Sequence, residues 1–441
     1  MSLPSLREAT RVWARIGLLS FGGPAGQIAL MHRELVESRR WISEARFLHA
    51  LSYCMVLPGP EAQQLATYIG WLLHGRRGGL VAGLLFILPG VLVMLGLSTL
   101  YTLYHQAPLT AALFYGVKAA VLAVVADAVI RLGRRALRGW PAVAVAGLSF
   151  LALAVARLPF PLVILMAALI GGAARDTFAP VRPDHSADAL LDRQLDGAIP
   201  PHARPSRRRA LATLATWLPL WLGPLAALRL LTGPDSVWTH IAQFFSGMAV
   251  VTFGGAYAVL AYVAQTAVTG YSWLSPGEMI DGLGLAETTP GPLVLVLQHV
   301  GFLAAAHAPG GLPPLLAGVL GGLLTSWVTF APCFLWIFLG GPYVERVRAN
   351  PTVTAALSAI TAAVVGVILN LAVWFGLHVL FRGSRPVALG PISLPLPSGL
   401  DTGAALLALA ALFLLRRTRL GLLPTLAACA AAGVALRHLG A

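Results

Sequence analysis

The chain has 441 residues, 57% of them hydrophobic and only 11% charged, with a mean hydropathy of +0.78, values a soluble domain with a water-facing surface does not readily reach. Its net charge of +14 does not mark a nucleic-acid binder, because the arginines fall in short clusters between apolar segments, where topology explains them. The cysteines Cys54, Cys333 and Cys429 stand far apart with no C-x-x-C spacing, so nothing supports a disulfide framework or a zinc site.

The N-terminus carries Arg7, Arg11 and Arg15 but no apolar core ending in a small-residue cleavage site, so no removable signal peptide is read. Phe21-Gly22-Gly23-Pro24 and then Pro58-Gly59-Pro60 interrupt the first two apolar segments. Stretches 79–104 and 109–130 are long enough to span a bilayer, which takes roughly 20 apolar residues. A polar segment follows at 176–209, with alternating Asp and Arg and several prolines, and reads as a solvated loop. Segment 211–231 adds one extra helix, and 312–340 and 352–381 give further spans.

The second half repeats the first. Phe253-Gly254-Gly255, Trp273 and Pro290-Gly291-Pro292 stand 232 residues after Phe21-Gly22-Gly23, Trp41 and Pro58-Gly59-Pro60. Pro332, Pro351 and Asn370 stand 243 after Pro89, Pro108 and Asp127, so an insertion of 11 separates two collinear blocks. The pattern predicts an all-α polytopic membrane protein with two inverted-topology repeats of broken, re-entrant helices, joined by a linker helix. Its expected parts are an N-terminal repeat at 1–175, a polar cytoplasmic loop plus linker helix at 176–231, and a C-terminal repeat at 232–441, with about nine full spans and four re-entrant hairpins.

Arginine sets the expected orientation, because cytoplasmic loops carry the positive excess. If the broken segments turn back, the clusters at 33–46, 76–77, 131–138 and 175–209 all lie inside, with the N-terminus cytoplasmic. The linker helix then inverts the second half: 232–311 holds no Arg or Lys, and Arg346, Arg348, Arg416, Arg417 and Arg419 fall where expected. Arg382 and Arg385 run against this scheme.

Non-helical backbone at membrane depth persists only where protein buries it or it lines a wet cavity. Helices that restart at Pro24, Pro60, Ala256 and Pro292 aim free N–H groups and the positive end of the dipole at mid-membrane, an oxyanion site. A lone Gly-Gly or Pro-Gly-Pro would read as a packing kink; two pairs at constant offset argue for a transport site. The expected substrate-binding set is therefore Gly22, Gly23, Pro24, Gln27, Pro58, Gly59, Pro60, Gln63, Gln64, Gly254, Gly255, Thr289, Pro290, Gly291 and Pro292, with Lys118. Lys118 is the single lysine of the chain, sits mid-span, and costs about 2.5–3.5 kcal/mol to insert there. The alternative for it is a structural pair with an acid such as Asp127, nine positions on and so on the opposite helix face. Glu61, Glu287 and Asp127 are the proton-coupling candidates, with Glu61 also fitting a plain helix cap.

Phe21-Gly22-Gly23-Pro24 with Gln27, Trp41, and Leu57-Pro58-Gly59-Pro60-Glu61 with Gln63, Gln64, Tyr68 and Gly70 resemble the N-terminal signature of the long-chain chromate ion transporters. The second half resembles its degenerate copy, with Ala256 for Pro24 and Thr288-Thr289 for Val56-Leu57. The resemblance implies a secondary transporter that moves chromate out across the cytoplasmic membrane and confers chromate resistance, with sulfate as competitor and the bilayer as its surroundings. Membrane potential or proton motive force would drive it, as in an antiporter. A homodimer suits the duplicated architecture by analogy. A proton-coupled sulfate or molybdate importer and an anion channel remain alternatives. No nucleophile–base arrangement and no G-x-x-x-x-G-K-[ST] loop stands out, so neither an enzyme nor a cofactor is expected. His32, His49, His74 and His299 lack metal-ligand spacing, and Trp41 and Trp273 read as interfacial anchors.

Overall fold

Serine and proline set the helix starts in the computed structural model, which describes residues 4–178, 205–253, 256–343, 350–389, 392–418 and 420–438. In α1 (Leu6–Leu19) the Ser5 hydroxyl accepts from the Glu8 N–H. After a break at Ser20–Gly22, α2 (Gly23–His32) runs into a π-helical turn, Arg33–Ser38. Ser43 caps α3 (Glu44–Cys54). The second break leads into α4 (Glu61–Tyr104), two helices joined at His74 and Gly75, whose φ values of −135° and 62° leave the helix. Then come α5 (Pro108–Ala136), α6 (Trp140–Ala154), α7 (Phe160–Ala173), the single turn α8 (Arg175–Phe178) and α9 (Arg207–Leu231).

The same element order follows. Ser236 caps α10 (Val237–Val251), a break leads to α11 (Ala256–Gln265) with its π turn Thr266–Gly270, and Ser275 and Glu278 form a capping box on α12 (Pro276–Glu287). A 3-10 turn, Leu293–Leu295, starts α13 (Val296–His307), and α14 (Pro314–Gly340) and α15 (Pro351–Leu380) follow. An antiparallel hairpin, β1 (Phe381–Leu389) and β2 (Ile392–Leu400), precedes α16 (Thr402–Arg417) and α17 (Leu422–His438). This hairpin departs from the expected all-helical chain; it holds Arg382 and Arg385, the two arginines that ran against the orientation scheme.

Among the described residues five helices are long and apolar enough to cross a membrane: α4, α5, α9, α14 and α15. Fewer helices than the nine expected full spans have that length among the described residues: α6 and α7, for instance, with 15 and 14 residues, extend about 21–23 Å against a hydrocarbon core of about 30 Å.

Small residues let these helices approach closely, as in membrane packing generally. α5 packs on α16 and α17, while α15 packs on α6 and α7, so each half's final pair covers the other half's long helix. A Cβ on Gly116 would run into the Cys429 carbonyl, and one on Gly433 would lie 2.8 Å from the Ala112 carbonyl. Gly116→Val is therefore expected to destabilise the protein by about 1–3 kcal/mol, read as earlier thermal unfolding in detergent, whereas Gly96→Val, which meets nothing within 4 Å, leaves the transition unchanged. The linker α9 is pinned to α14 by Trp327, whose indole N–H donates to the Leu220 carbonyl at 2.8 Å, and by Trp217 stacked on Phe334.

Candidate functional site

The four breaks pair across the halves. The Gly59 N–H donates to the Thr252 carbonyl at 2.8 Å, and the Gly291 N–H donates to the Ser20 carbonyl at 2.8 Å. Thr252 and Gly291 stand 232 residues after Ser20 and Gly59, so one contact is made twice with the roles of the halves exchanged. Gly59 and Gly291 adopt φ values of 124° and 93°, which an L side chain rarely takes. Each also abuts the long helix of the opposite half: a Cβ on Gly90 in α4 would strike the Pro290 carbonyl, and one on Gly59 would lie 3.0 Å from Cys333 Sγ in α14.

Amides hold two of the break carbonyls. Gln27 Nε2 donates to Gly291 O at 2.5 Å, and Gln64 Nε2 donates to Pro58 O at 2.7 Å. Gln63 Nε2 bonds Thr67 within α4 at 3.1 Å, and the side-chain oxygens of Gln27, Gln63 and Gln64 are buried without a hydrogen-bond partner. Thr289 turns back on its own helix, donating to Leu285 O at 2.8 Å.

The helix starts that flank the breaks divide into two kinds. Ser5, Ser43, Ser236 and Ser275 cap the helices that lead into the breaks. The helices that restart beyond them begin at Gly22, Pro60 and Pro292 with no side-chain cap. Their first-turn N–H groups thus point out of the helix without a side-chain acceptor. At Gly22 and Gly23, with φ values of 86° and 69°, the space a Cβ would fill is empty. Pro24 lies at the start of α2, and Gly254 and Gly255 lie outside the described residues.

Lys118 joins neither Asp127 nor the breaks. Its Nζ lies 3.2 Å from Asp281 Oδ2, and the Tyr101 hydroxyl donates to the same oxygen at 2.9 Å. Asp281 sits in α12, six residues or about 9 Å of helix before Glu287. Beside it, His299 Nδ1 is 2.9 Å from the Ser98 hydroxyl, and its ring meets Tyr101 edge-on. Asp281 Oδ1 and His299 Nε2 are buried and have no partner. Glu287 is buried at the end of α12 and accepts from the Tyr257 hydroxyl at 2.7 Å. Asp127 pairs with Arg131 at 2.7 Å and with Arg416 at 3.9 Å. Glu61 occupies the first turn of α4, directly after Pro60. Trp273, expected at an interface, is buried and stacked on Tyr271, because the turn at 271–274 folds back onto α10. Among the described residues no group of His, Cys, Asp and Glu is placed to hold a metal.

Sequence reasoning missed Asp281, Tyr101, His299 and Tyr257. One signal was available for Asp281: it is an acid inside the segment 232–311, which contains no Arg or Lys, while Lys118 is the single lysine of the chain.

Helices broken at matching places in two halves, with buried polar groups beside them, are the architecture of a membrane transport protein. The chain belongs to the chromate transporter family, whose sequence signature matches residues 7–172 and 239–434. It is 33% identical over 376 residues to the chromate transport protein of Pseudomonas aeruginosa, covering 83% of this chain and 80% of that one. It is 30% identical over 378 residues to the probable chromate transport protein of Synechococcus elongatus, covering 84% and 85%. The shorter uncharacterized transporter YwrB of Bacillus subtilis is 32% identical over 134 residues, 30% of this chain but 68% of that protein. No solved structure matches the chain.

Proposed function

We propose that this protein exports chromate from the cytoplasm across the inner membrane and so confers chromate resistance, by alternating access around the helix breaks. The observation that carries the reading is the reciprocal pair of bonds, Gly59 to Thr252 and Gly291 to Ser20, together with the uncapped starts at Gly22, Pro60 and Pro292. These give a dianion several N–H donors at the positive ends of helices, and a pairing of halves that can be remade as one rocks against the other. Gly22, Gly23, Gln27, Gln63, Gln64, Thr289 and the glycines and prolines of the breaks form the first surroundings of the ion in this reading. Lys118, held by Asp281 outside the breaks, supplies the positive charge on the ion's path in this reading, and Glu61, Glu287 and Asp127 are the proton-coupling groups.

The reading takes 1–175 and 232–441 as inverted repeats and 176–231 as their linker, with the N-terminus in the cytoplasm. Support comes from the matching element order, from the two matched segments flanking the linker, and from a shorter relative that aligns with about a third of the chain. Sulfate, a tetrahedral dianion of similar shape, competes, and two copies of the chain pair in the membrane. Membrane potential drives export, since each negative charge leaving a negative interior gains about 2.3 kcal/mol per 100 mV.

The test is chromate accumulation in inverted membrane vesicles made from cells expressing the chain. Saturable accumulation that sulfate inhibits and an uncoupler abolishes is expected; sulfate uptake into whole cells without chromate accumulation would overturn export in favour of import, and fast non-saturable flux would indicate a channel.

A further inference from the structure

The contact between Lys118 and Asp281 joins α5 of the first half to α12 of the second. A purely structural clamp buries its charges and satisfies every oxygen, because an unpaired buried polar atom is costly. This pair leaves its cation partly accessible and one buried carboxylate oxygen unsatisfied. Asp281 Oδ2 takes two donors, Lys118 and Tyr101, while the buried Oδ1 takes none. Lys118 keeps 30% of its side chain accessible, against 7% for Asp281. One turn before Asp281 on α12 stands Gly277, where a Cβ would lie 3.3 Å from Nζ, so the absence of a side chain leaves the cation approachable.

We propose that Asp281 is the internal competitor of the transported dianion for Lys118, so that a proton and the anion bind together. It rests on the anion-transport reading above. In the anion-free protein Lys118 is neutralised by Asp281. When the dianion arrives, Asp281 takes a proton from a solvent hydronium ion, whose O–H bond breaks to leave water as an O–H bond forms on the carboxyl, and the ion pair at Oδ2 opens. Lys118 is then free for the anion, and on the far side the anion and the proton leave and the pair re-forms. Each dianion thus travels with one proton and a single net negative charge. The groups facing Asp281 are Lys118 from α5, Tyr101 and the His105 stacked on it from α4, His299 from α13, and on its own helix Glu278, which pairs with His307. Lys118 is the one cation among them with an ion pair to Asp281. Asp281 is a positioning residue here; it acts through Lys118.

The test uses the full-length protein in lipid nanodiscs and radiolabelled sulfate, which stays fully ionised from pH 6 to 8. Wild type is expected to bind more tightly as pH falls, by up to about tenfold per pH unit where one proton is taken up. Asp281→Asn is expected to bind at least as tightly as wild type at its best pH, with a flat profile, and Lys118→Ala to bind weakly at every pH. A folded Asp281→Asn that keeps the wild-type slope, or loses affinity, overturns the proposal. Should that variant not fold, proton uptake by wild type on adding sulfate in weak buffer decides: about one proton per anion supports it, none overturns it. Absence of any dianion binding by wild type would instead sink the transport reading itself.

Discussion

Lys118→Ala is expected to abolish chromate accumulation in inverted vesicles while lowering thermal stability. Two losses combine in it. The dianion loses the single lysine of the chain, and Asp281 is left buried with Tyr101 as its remaining partner. Breaking a buried pair by removing one member costs about 3–5 kcal/mol, and the lower end applies because Lys118 keeps 30% of its side chain accessible. Lys118→Ala/Asp281→Ala should recover most of the stability, since no unpaired carboxylate remains, yet carry no anion. Thermal unfolding of the two variants in detergent beside their vesicle flux separates these contributions. A double variant as unstable as the single one would mean that the pair is not what Lys118 contributes to stability.

Gly291→Ala is expected to cut transport at least tenfold in protein that still inserts. Its φ of 93° costs an L residue roughly 1–2 kcal/mol. The new methyl would also stand 3.2 Å from Leu295 Cδ1 in the following 3-10 turn, so backbone strain and this tight contact together loosen the N–H bond to Ser20. Gly59→Ala meets a softer obstacle, the end of the Gln64 side chain at 2.6 Å, and is expected to displace that amide from Pro58 O with a smaller loss. Gly22→Ala, at φ 86° with empty space around the new methyl, isolates the cost of backbone strain from that of packing. Equal losses in all three would show that strain alone, and not the meeting of breaks, controls transport.

Among the described residues, charged groups near α5 form a few internal stations. Along α5 lie Lys118 with Asp281, then Asp127 with Arg131 and Arg416. Glu287 and Tyr257 stand within electrostatic range of Arg131. In the first half the positions matching Asp281 and Glu287 are His49 and Met55, and the second-half counterpart of Lys118 is Thr361. The backbone contacts between breaks are therefore reciprocal while the charges are not: the first half supplies the lysine and the second half its acid.

The sequence by itself determined that the chain is membrane-embedded, where its helices stop and restart, and which family it joins. These follow from local chemistry: apolar length, proline and glycine at helix ends, and a repeat whose offset survives divergence. Tertiary structure alone decided which break meets which, that Lys118 answers Asp281 and not Asp127, and that Trp273 is buried. The reason is that a partner contributed from 163 residues away, as Asp281 is to Lys118, leaves no periodic trace in either segment; only the packing of α5 against α12 across the two halves brings the charges within 3.2 Å.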